Sequence, residues 1–334
     1  MNLSTALSFV SLLLPVSVAA ATPIAEFTDV PLGHPMYEAA MHVRAEGIML
    51  GNPDGSLKPD DLIDRASAIV VIQRITGIQV KASSGSTFTD VADDAWYRGA
   101  VEAALVGNVI DGPPKTTVLN PSRTVTKVEF LKMLLQAKNV ESALLFTDVS
   151  YPLSADVRDA TAWFYPHVRY GVATGLVSAS TQNRLELSAP MRRGDIATMI
   201  TAFDTYVDGS RTQALLTSVE HEITLMLKLI ERKKYTAVGD ASARAMLLSA
   251  GAVAIEPENQ MLRDSGAVAL SFHSLADAFV AGVDGNTDVA AMAAGHAVKV
   301  SETYEESSPA FTDLAKRVQA VAAKITAPAA KPHL

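Results

Sequence analysis

The chain has 334 residues, no cysteine, 49% hydrophobic residues and a formal charge of -8 at neutral pH. Without cysteine it can have no disulfide framework, thiolate metal centre, attached c-type haem or cysteine lipidation. The acidic balance argues against broad nucleic-acid affinity, and the length suits two domains, each with its own core.

The chain opens on an uncharged apolar run from Ala6 to Ala21, broken by Pro15. It is too short for an ordinary membrane span. Small residues at Ala19 and Ala21, or Val18 and Ala20, predict a cleaved export signal over residues 1–21. No later stretch of eighteen purely apolar residues occurs, so no integral membrane segment is expected after cleavage.

Next comes one phrase written three times, as Phe27-Thr28-Asp29-Val30, Phe88-Thr89-Asp90-Val91 and Phe146-Thr147-Asp148-Val149. The near-constant spacing, 61 and then 58 residues, marks an internal repeat array. Each phrase leads to an aromatic helix start at Tyr37, at Trp96-Tyr97, or, after an insertion of about nine residues, at Trp163-Phe164-Tyr165. A polar turn follows each first helix, most complete as Gly51-Asn52-Pro53-Asp54-Gly55 and reduced to Asp111-Gly112-Pro113-Pro114 in the second repeat. A second amphipathic helix then opens at Asp64-Arg65, Thr126-Lys127 and Arg192-Arg193, with Asp64 and Thr126 as N-caps. A cation at a helix N-terminus opposes the local dipole. Three in register, Arg65, Lys127 and Arg193, therefore point to a clamp onto a neighbouring loop or to a site that meets anions.

These features resemble the S-layer homology family, whose modules usually occur in threes in cell-surface proteins. The resemblance covers residues 26–205, with repeats at about 26–83, 84–141 and 142–205 inside a 22–205 domain. It implies an all-α, pseudo-threefold assembly of three helix-pair modules whose grooves bind secondary or peptidoglycan-linked cell-wall polysaccharide, often pyruvylated, on the extracellular face of the envelope. The family's anion-contacting arginine falls on Arg65, Lys127 and Arg193, and its usual glutamate on Ser67, Glu129 and Asp195. A pyruvylated sugar needs a directed cation, backbone donors and a ring to stack on. The candidate glycan-binding residues are thus Arg65, Lys127, Arg193, Gly51, Asp54, Gly55, Tyr37, Trp96 and Trp163. The competing reading of the aromatics is core packing. Because the first repeat keeps the fullest loop, Arg65 is expected to matter more than Lys127.

After Phe203 the chain turns alanine- and leucine-rich. Leu216, Val219, Ile223, Met226 and Ile230 predict a long helix, followed by helices at about 240–253 and 256–264, another through Leu270 to Val280, one from Asp288 to about Glu305, and a last one from Pro309 to Ile325. Residues 206–326 are expected to form an antiparallel bundle for assembly or partner contact, with a disordered tail at 327–334. His221, His273 and His296 lie on different helices and are expected at the surface, as is the acidic face of Glu220 and Glu222. No nucleophile elbow, P-loop, zincin or dinucleotide motif is present, so no catalytic residue, metal or cofactor is called for. Two alternatives to an anchor are a self-assembling surface-layer protein without glycan specificity and, less favoured, an envelope polysaccharide hydrolase.

Overall fold

The structure, a computed structural model, describes residues 25–79, 86–112 and 114–326. The expected export signal and C-terminal tail lie outside the described residues. The fold is all-α: repeated helix pairs, then a tightly packed bundle. The pairs are α1 (Tyr37–Ala45) with α2 (Arg65–Thr76), α3 (Arg98–Val106) with α4 (Lys127–Ala137), and α5 (Tyr165–Ala173) with α6 (Arg193–Val207). Asp64 caps α2 by accepting the Ser67 N–H at 2.7 Å, and α2 stops at Gly77 in the left-handed region.

The two helices of one pair are not the ones that pack most closely on each other. Instead α3 lies on α2, α5 on α4, and α1 on α6, so the first leading helix closes onto the last closing one. The leading helices are only nine residues long, and α1 buries just Ala40 and Val43, so each depends on a partner from a neighbouring pair. The loops before α2, α4 and α6 complete a ring. The Ile63 N–H donates to the Met191 carbonyl at 3.1 Å, Met191 to Val125 at 2.9 Å, and Val125 to Ile63 at 3.2 Å.

A carboxylate braces each loop. Asp29 accepts from the backbone N–H groups of Leu57 and Lys58 at 2.8 and 2.7 Å, and Asp90 from Leu119 and Asn120 at 2.8 and 2.7 Å. The third brace is Asp156, accepting from Leu185 and Glu186 at 2.9 and 2.8 Å. Lys58, Asn120 and Glu186 all adopt positive φ, 55°, 57° and 54°, which turns two successive N–H groups toward one carboxylate. This corrects the expectation that Phe146-Thr147-Asp148-Val149 opens the third segment. Asp148 is exposed and accepts no hydrogen bond among the described residues, while Asp156 does the bracing from Leu153-Ser154-Ala155-Asp156-Val157. The apparent insertion is the phrase itself, which leads out of a 3-10 turn at Ser142–Leu144.

The bundle comprises α7 (Thr212–Glu231), α8 (Tyr235–Ile255), α9 (Gln260–Val283), α10 (Thr287–Glu302) and α11 (Pro309–Thr326). The helices expected at 256–264 and 270–280 are one continuous helix, α9. Gly266 does not break it, because it faces the Ser249 side chain of α8 at close range. By length and composition α8 and α9 could cross a membrane, but in the fold they form the centre of the bundle. Two surface expectations fail: His273 and Glu222 are both buried.

The bundle joins the helix pairs through α8 on α5. Gly251 lies so close that a Cβ there would come within 1.9 Å of the Ala173 carbonyl oxygen. Beside it, Arg244, 1% exposed, forks onto Glu222 through Nε and one Nη at 2.7 Å each; its other Nη donates to the Leu153 carbonyl at 2.7 Å and Asn183 Oδ1 at 2.8 Å. Asp240 accepts from Asn183 Nδ2 at 2.8 Å and pairs with Arg158. The loop of the third segment is thus tied into the bundle by charge-assisted bonds whose every partner is satisfied.

Candidate functional site

Three in-register cations sit at the first helical positions of α2, α4 and α6, and the backbone there is already engaged. The N–H groups of Arg65 and Ala66 donate to the carbonyls of Arg123 and Pro121, those of Lys127 and Val128 to Ala189 and Leu187, and those of Arg193 and Gly194 to Asp61 and Pro59. Each helix start is docked on the loop of the next segment around the ring. The N-terminal donors serve assembly, and only side chains remain to meet a ligand.

Two of the three cations also clamp. Arg193 Nε donates to the Leu57 carbonyl at 2.7 Å and Lys127 Nζ to the Leu185 carbonyl at 2.8 Å. The Arg65 guanidinium has no hydrogen-bond partner among the described residues. It is half-buried, and burial lowers its pKa, against the pull of Glu129 and with the push of Arg123.

Pairing across segments also changes which loop serves which cation. The residue that follows the fullest loop, Leu57, is met by Arg193 and not by Arg65, and burial lowers the Arg193 pKa while Asp61 and Asp29 oppose it. Gly51 is required there: its φ is 84°, and a Cβ would meet the Phe27 ring at 2.7 Å and the Ser56 carbonyl oxygen at 2.8 Å. Asp54 folds the turn by accepting the Ser56 hydroxyl at 2.6 Å and its N–H at 3.0 Å, and these bonds hold its carboxyl below the usual range. Gly55 accepts the Thr28 N–H. Tyr37 donates to Glu26 at 2.8 Å.

Trp96 and Trp163, which core packing would have hidden, are 70% and 61% exposed. Trp96 stands edge-on to Tyr97, and Trp163 has Lys132 Nζ 5.7 Å from its ring centre and His167 beside it. Lys127 borders a cleft of about 610 Å3 whose lining includes Met36, Leu62, Met199, Arg192, Asp195 and Arg211.

Sequence reasoning missed Arg123, Lys132 and Arg211. Arg123 forks onto Glu129 at 2.7 and 3.0 Å, and Glu129 also accepts the Thr126 N–H and hydroxyl at 2.9 Å. Burial pushes the Glu129 pKa up, but the Arg123 fork and the Thr126 donors outweigh it and hold it at about 2. A carboxylate with a depressed folded pKa contributes stability that is complete above its unfolded value near 4.3 and lost as pH falls toward the folded one. Glu129→Gln is therefore expected to cost about 1–2 kcal/mol at pH 7, with the gap to wild type narrowing steadily from pH 5 to pH 3. Urea midpoints at the three pH values check this, and a pH-independent gap would contradict it.

The bundle contains Ser242, His273 and Asp277, the residue types of a hydrolytic triad. Ser242 Oγ lies 2.9 Å from His273 Nδ1, but Ser242 is fully buried, Tyr151 covers the imidazole, and Asp277 is 3.8 Å from Nε2. No substrate carbonyl could reach that hydroxyl, so the arrangement is a packing contact. Among the described residues no group of three or more His, Asp or Glu could hold a metal ion.

Two segments of the array are similar to known proteins. Residues 26–69 and 87–131 match the S-layer homology domain. The chain carries two tandem domains of that family. It is 26% identical over 198 residues to the surface-layer 125 kDa protein of Lysinibacillus sphaericus, covering 58% of this chain and 16% of the relative. It is 30% identical over 115 residues to S-layer protein EA1 of Bacillus anthracis, covering 34% and 13%. The match to the cellulosome-anchoring protein of Acetivibrio thermocellus is 26% over 157 residues, covering 45% and 34%. The matched part is thus no more than about a third of the length of these relatives. The matched segments recur in surface-layer and cellulosome-anchoring proteins.

Proposed function

We propose that the chain is an envelope anchor whose residues 26–205 form three S-layer homology modules in a pseudo-threefold ring, and whose grooves bind an anionic, pyruvylated wall polysaccharide. The third module, 142–205, is supported by the Asp156 brace, the left-handed Glu186 and the place of Met191 in the hydrogen-bonded ring. The observation that carries the binding reading is the recurrence of a half-buried cation beside a neighbouring loop, with tryptophans left in solvent next to two of the leading helices. An exposed ring offers a stacking face, and a guanidinium offers a fork for a carboxylate.

The grooves are not equivalent. Arg65 has its guanidinium free, and Arg193 uses Nε on the protein and keeps its two Nη groups for a ligand. Lys127 offers one point charge already directed at Leu185. Arg65→Ala and Arg193→Ala are each expected to weaken retention on peptidoglycan–polysaccharide sacculi roughly 30-fold, from a contact of about 2 kcal/mol, and Lys127→Ala distinctly less. Pull-down of the exported chain with intact sacculi, and with sacculi stripped of their anionic substituents, checks this. Failure of the wild type to be retained at low salt, or equal retention on stripped sacculi, would defeat the glycan reading. Assembly without any sacculi would favour a surface-layer role in its place.

A further inference from the structure

The bundle holds a cavity of about 680 Å3, lined by α7, the start of α9 and the residues that open α11. It exists because α7 packs on α8 while α11 packs on α9 and α10, so α7 and α11 do not pack closely on each other. The lining is mostly apolar, with Leu216 and Ile223 from α7, Met261 from α9, and Phe311 and Leu314 from α11. Sites for small organic ligands span about 300–1,000 Å3 and combine such walls with a few polar groups.

The polar groups here carry one sign of charge. Asp264 and Glu220 line the cavity, and no lysine, arginine or histidine does so among the described residues. Asp264 is 4% exposed. One of its oxygens accepts from Gln260 Nε2 at 2.7 Å, and Gln260 is held in turn by Arg263, which donates to its Oε1 at 2.8 Å. The other oxygen accepts no hydrogen bond and forms no ion pair among the described residues, yet it is not sealed away from solvent-accessible space. A buried carboxylate with a single neutral donor is short of partners.

That shortage selects the ligand. An anion meets two carboxylates and no cation, and a neutral apolar molecule takes water from Asp264 without replacing it. A metal ion finds too few ligands, since no group of three or more His, Asp or Glu among the described residues could hold one. An ammonium donates to the open Asp264 oxygen, while an apolar body attached to it covers Leu216 and Ile223, and the Phe311 ring adds its own attraction for a cation. Leu216, Ile223, Phe311 and Leu314 are half-buried around a concave space, which suits a small molecule better than the flat face of a protein.

We propose that this cavity binds a small organic cation, an ammonium on a compact alkyl or aryl body, with Asp264 as its counter-charge and Phe311 and Leu314 among its walls. The site belongs to the bundle and stands independently of what the grooves of the array bind.

Isothermal titration calorimetry of the exported full chain with phenethylamine, phenethyl alcohol and hydrocinnamate tests it. The amine is expected to bind, the alcohol to bind roughly tenfold more weakly, and the carboxylate not to bind. Asp264→Asn, which keeps the size of the side chain, is expected to erase the advantage of the amine over the alcohol. Leu314→Trp, which fills the cavity from α11, is expected to abolish binding of both, with helical circular dichroism unchanged. Should Asp264→Asn fail to fold, the ranking of the three probes on wild type and the loss in Leu314→Trp still decide the matter. No binding of the amine at millimolar concentration overturns the proposal, as does equal affinity for all three probes or a full amine preference in folded Asp264→Asn. A wild type that ignores the amine but dimerises in light scattering, with Leu314→Trp monomeric, overturns it in favour of a second copy of the chain on this face.

Discussion

Arg244→Ala is expected to be the most damaging single substitution in the protein, at about 3–5 kcal/mol, because it strands a buried carboxylate and removes the junction between the helix pairs and the bundle. Arg244 is 1% exposed and makes four bonds to three elements: the two-pronged contact with Glu222 on α7, the Leu153 carbonyl, and Asn183 in the loop of the third segment. With the guanidinium gone, buried Glu222 loses both of the donors it accepted from, and Asn183 loses the partner of its carbonyl oxygen. A loss of that size should lower the thermal midpoint by roughly 10 °C. It should also make the chain between α6 and α7 more open to protease, because the seam is then held by the Gly251 contact with Ala173 and by the bonds of Asp240 to Asn183 and Arg158 without the central guanidinium. The double change Arg244→Met with Glu222→Leu is expected to recover much of the loss, since an apolar pair of similar volume needs no counter-charge. Differential scanning calorimetry of the three variants decides it. A single variant within about 1 kcal/mol of wild type would mean that the network is ornamental to the junction.

This network also shows where the sequence stops being informative. Glu222 stands beside Glu220 and His221 in a helix whose apolar stripe is complete without it, so periodicity alone assigns it to water. Burial of Glu222 follows only from Arg244, and Arg244 sits in an alanine-rich helix that the array covers on one side. Neither residue reveals the other, because the pairing spans 22 positions and depends on how α8 docks. The helices themselves were legible: Pro257 stops α8, Ser308-Pro309 opens α11, and the i, i+3, i+4 stripe of α7 points inward. The repeat was legible too, but its geometry was not. Which helix packs on which is set by the closing contact of α1 with α6, a feature of the whole ring that no local pattern encodes. For that reason Leu57, which follows the loop of the first segment, is met by Arg193 and not by the nearer Arg65. The tryptophans were ambiguous on physical grounds, since an aromatic at a helix start can cover a core or face solvent with equal local propensity.

The third segment supplies the second large effect, and there the most conspicuous motif misleads. Asp156→Ala is expected to cost about 1–3 kcal/mol by leaving the Leu185 and Glu186 N–H groups without an acceptor beside a buried Leu185. Asp148→Ala, in the phrase that reads as the repeat's signature, should stay within about 0.5 kcal/mol of wild type. Asp29→Ala and Asp90→Ala should match Asp156→Ala, because all three carboxylates brace the same turn. Protonation gives an independent handle. Burial tends to raise the Asp156 pKa, but the Ser154 hydroxyl and the two backbone donors prevail and hold it below the ordinary carboxylate range. Its contribution is therefore complete above the unfolded value near 3.9 and fades as pH drops through the lower folded value. Chemical denaturation at pH 7 and pH 3.5 should show Asp156→Ala separated from wild type at the first and closer to it at the second, with Asp148→Ala superimposed on wild type at both. If Asp148→Ala proved the costlier change, the third brace would lie in the phrase at 146–149, and the equivalence of the three segments around Ile63, Val125 and Met191 would have to be redrawn.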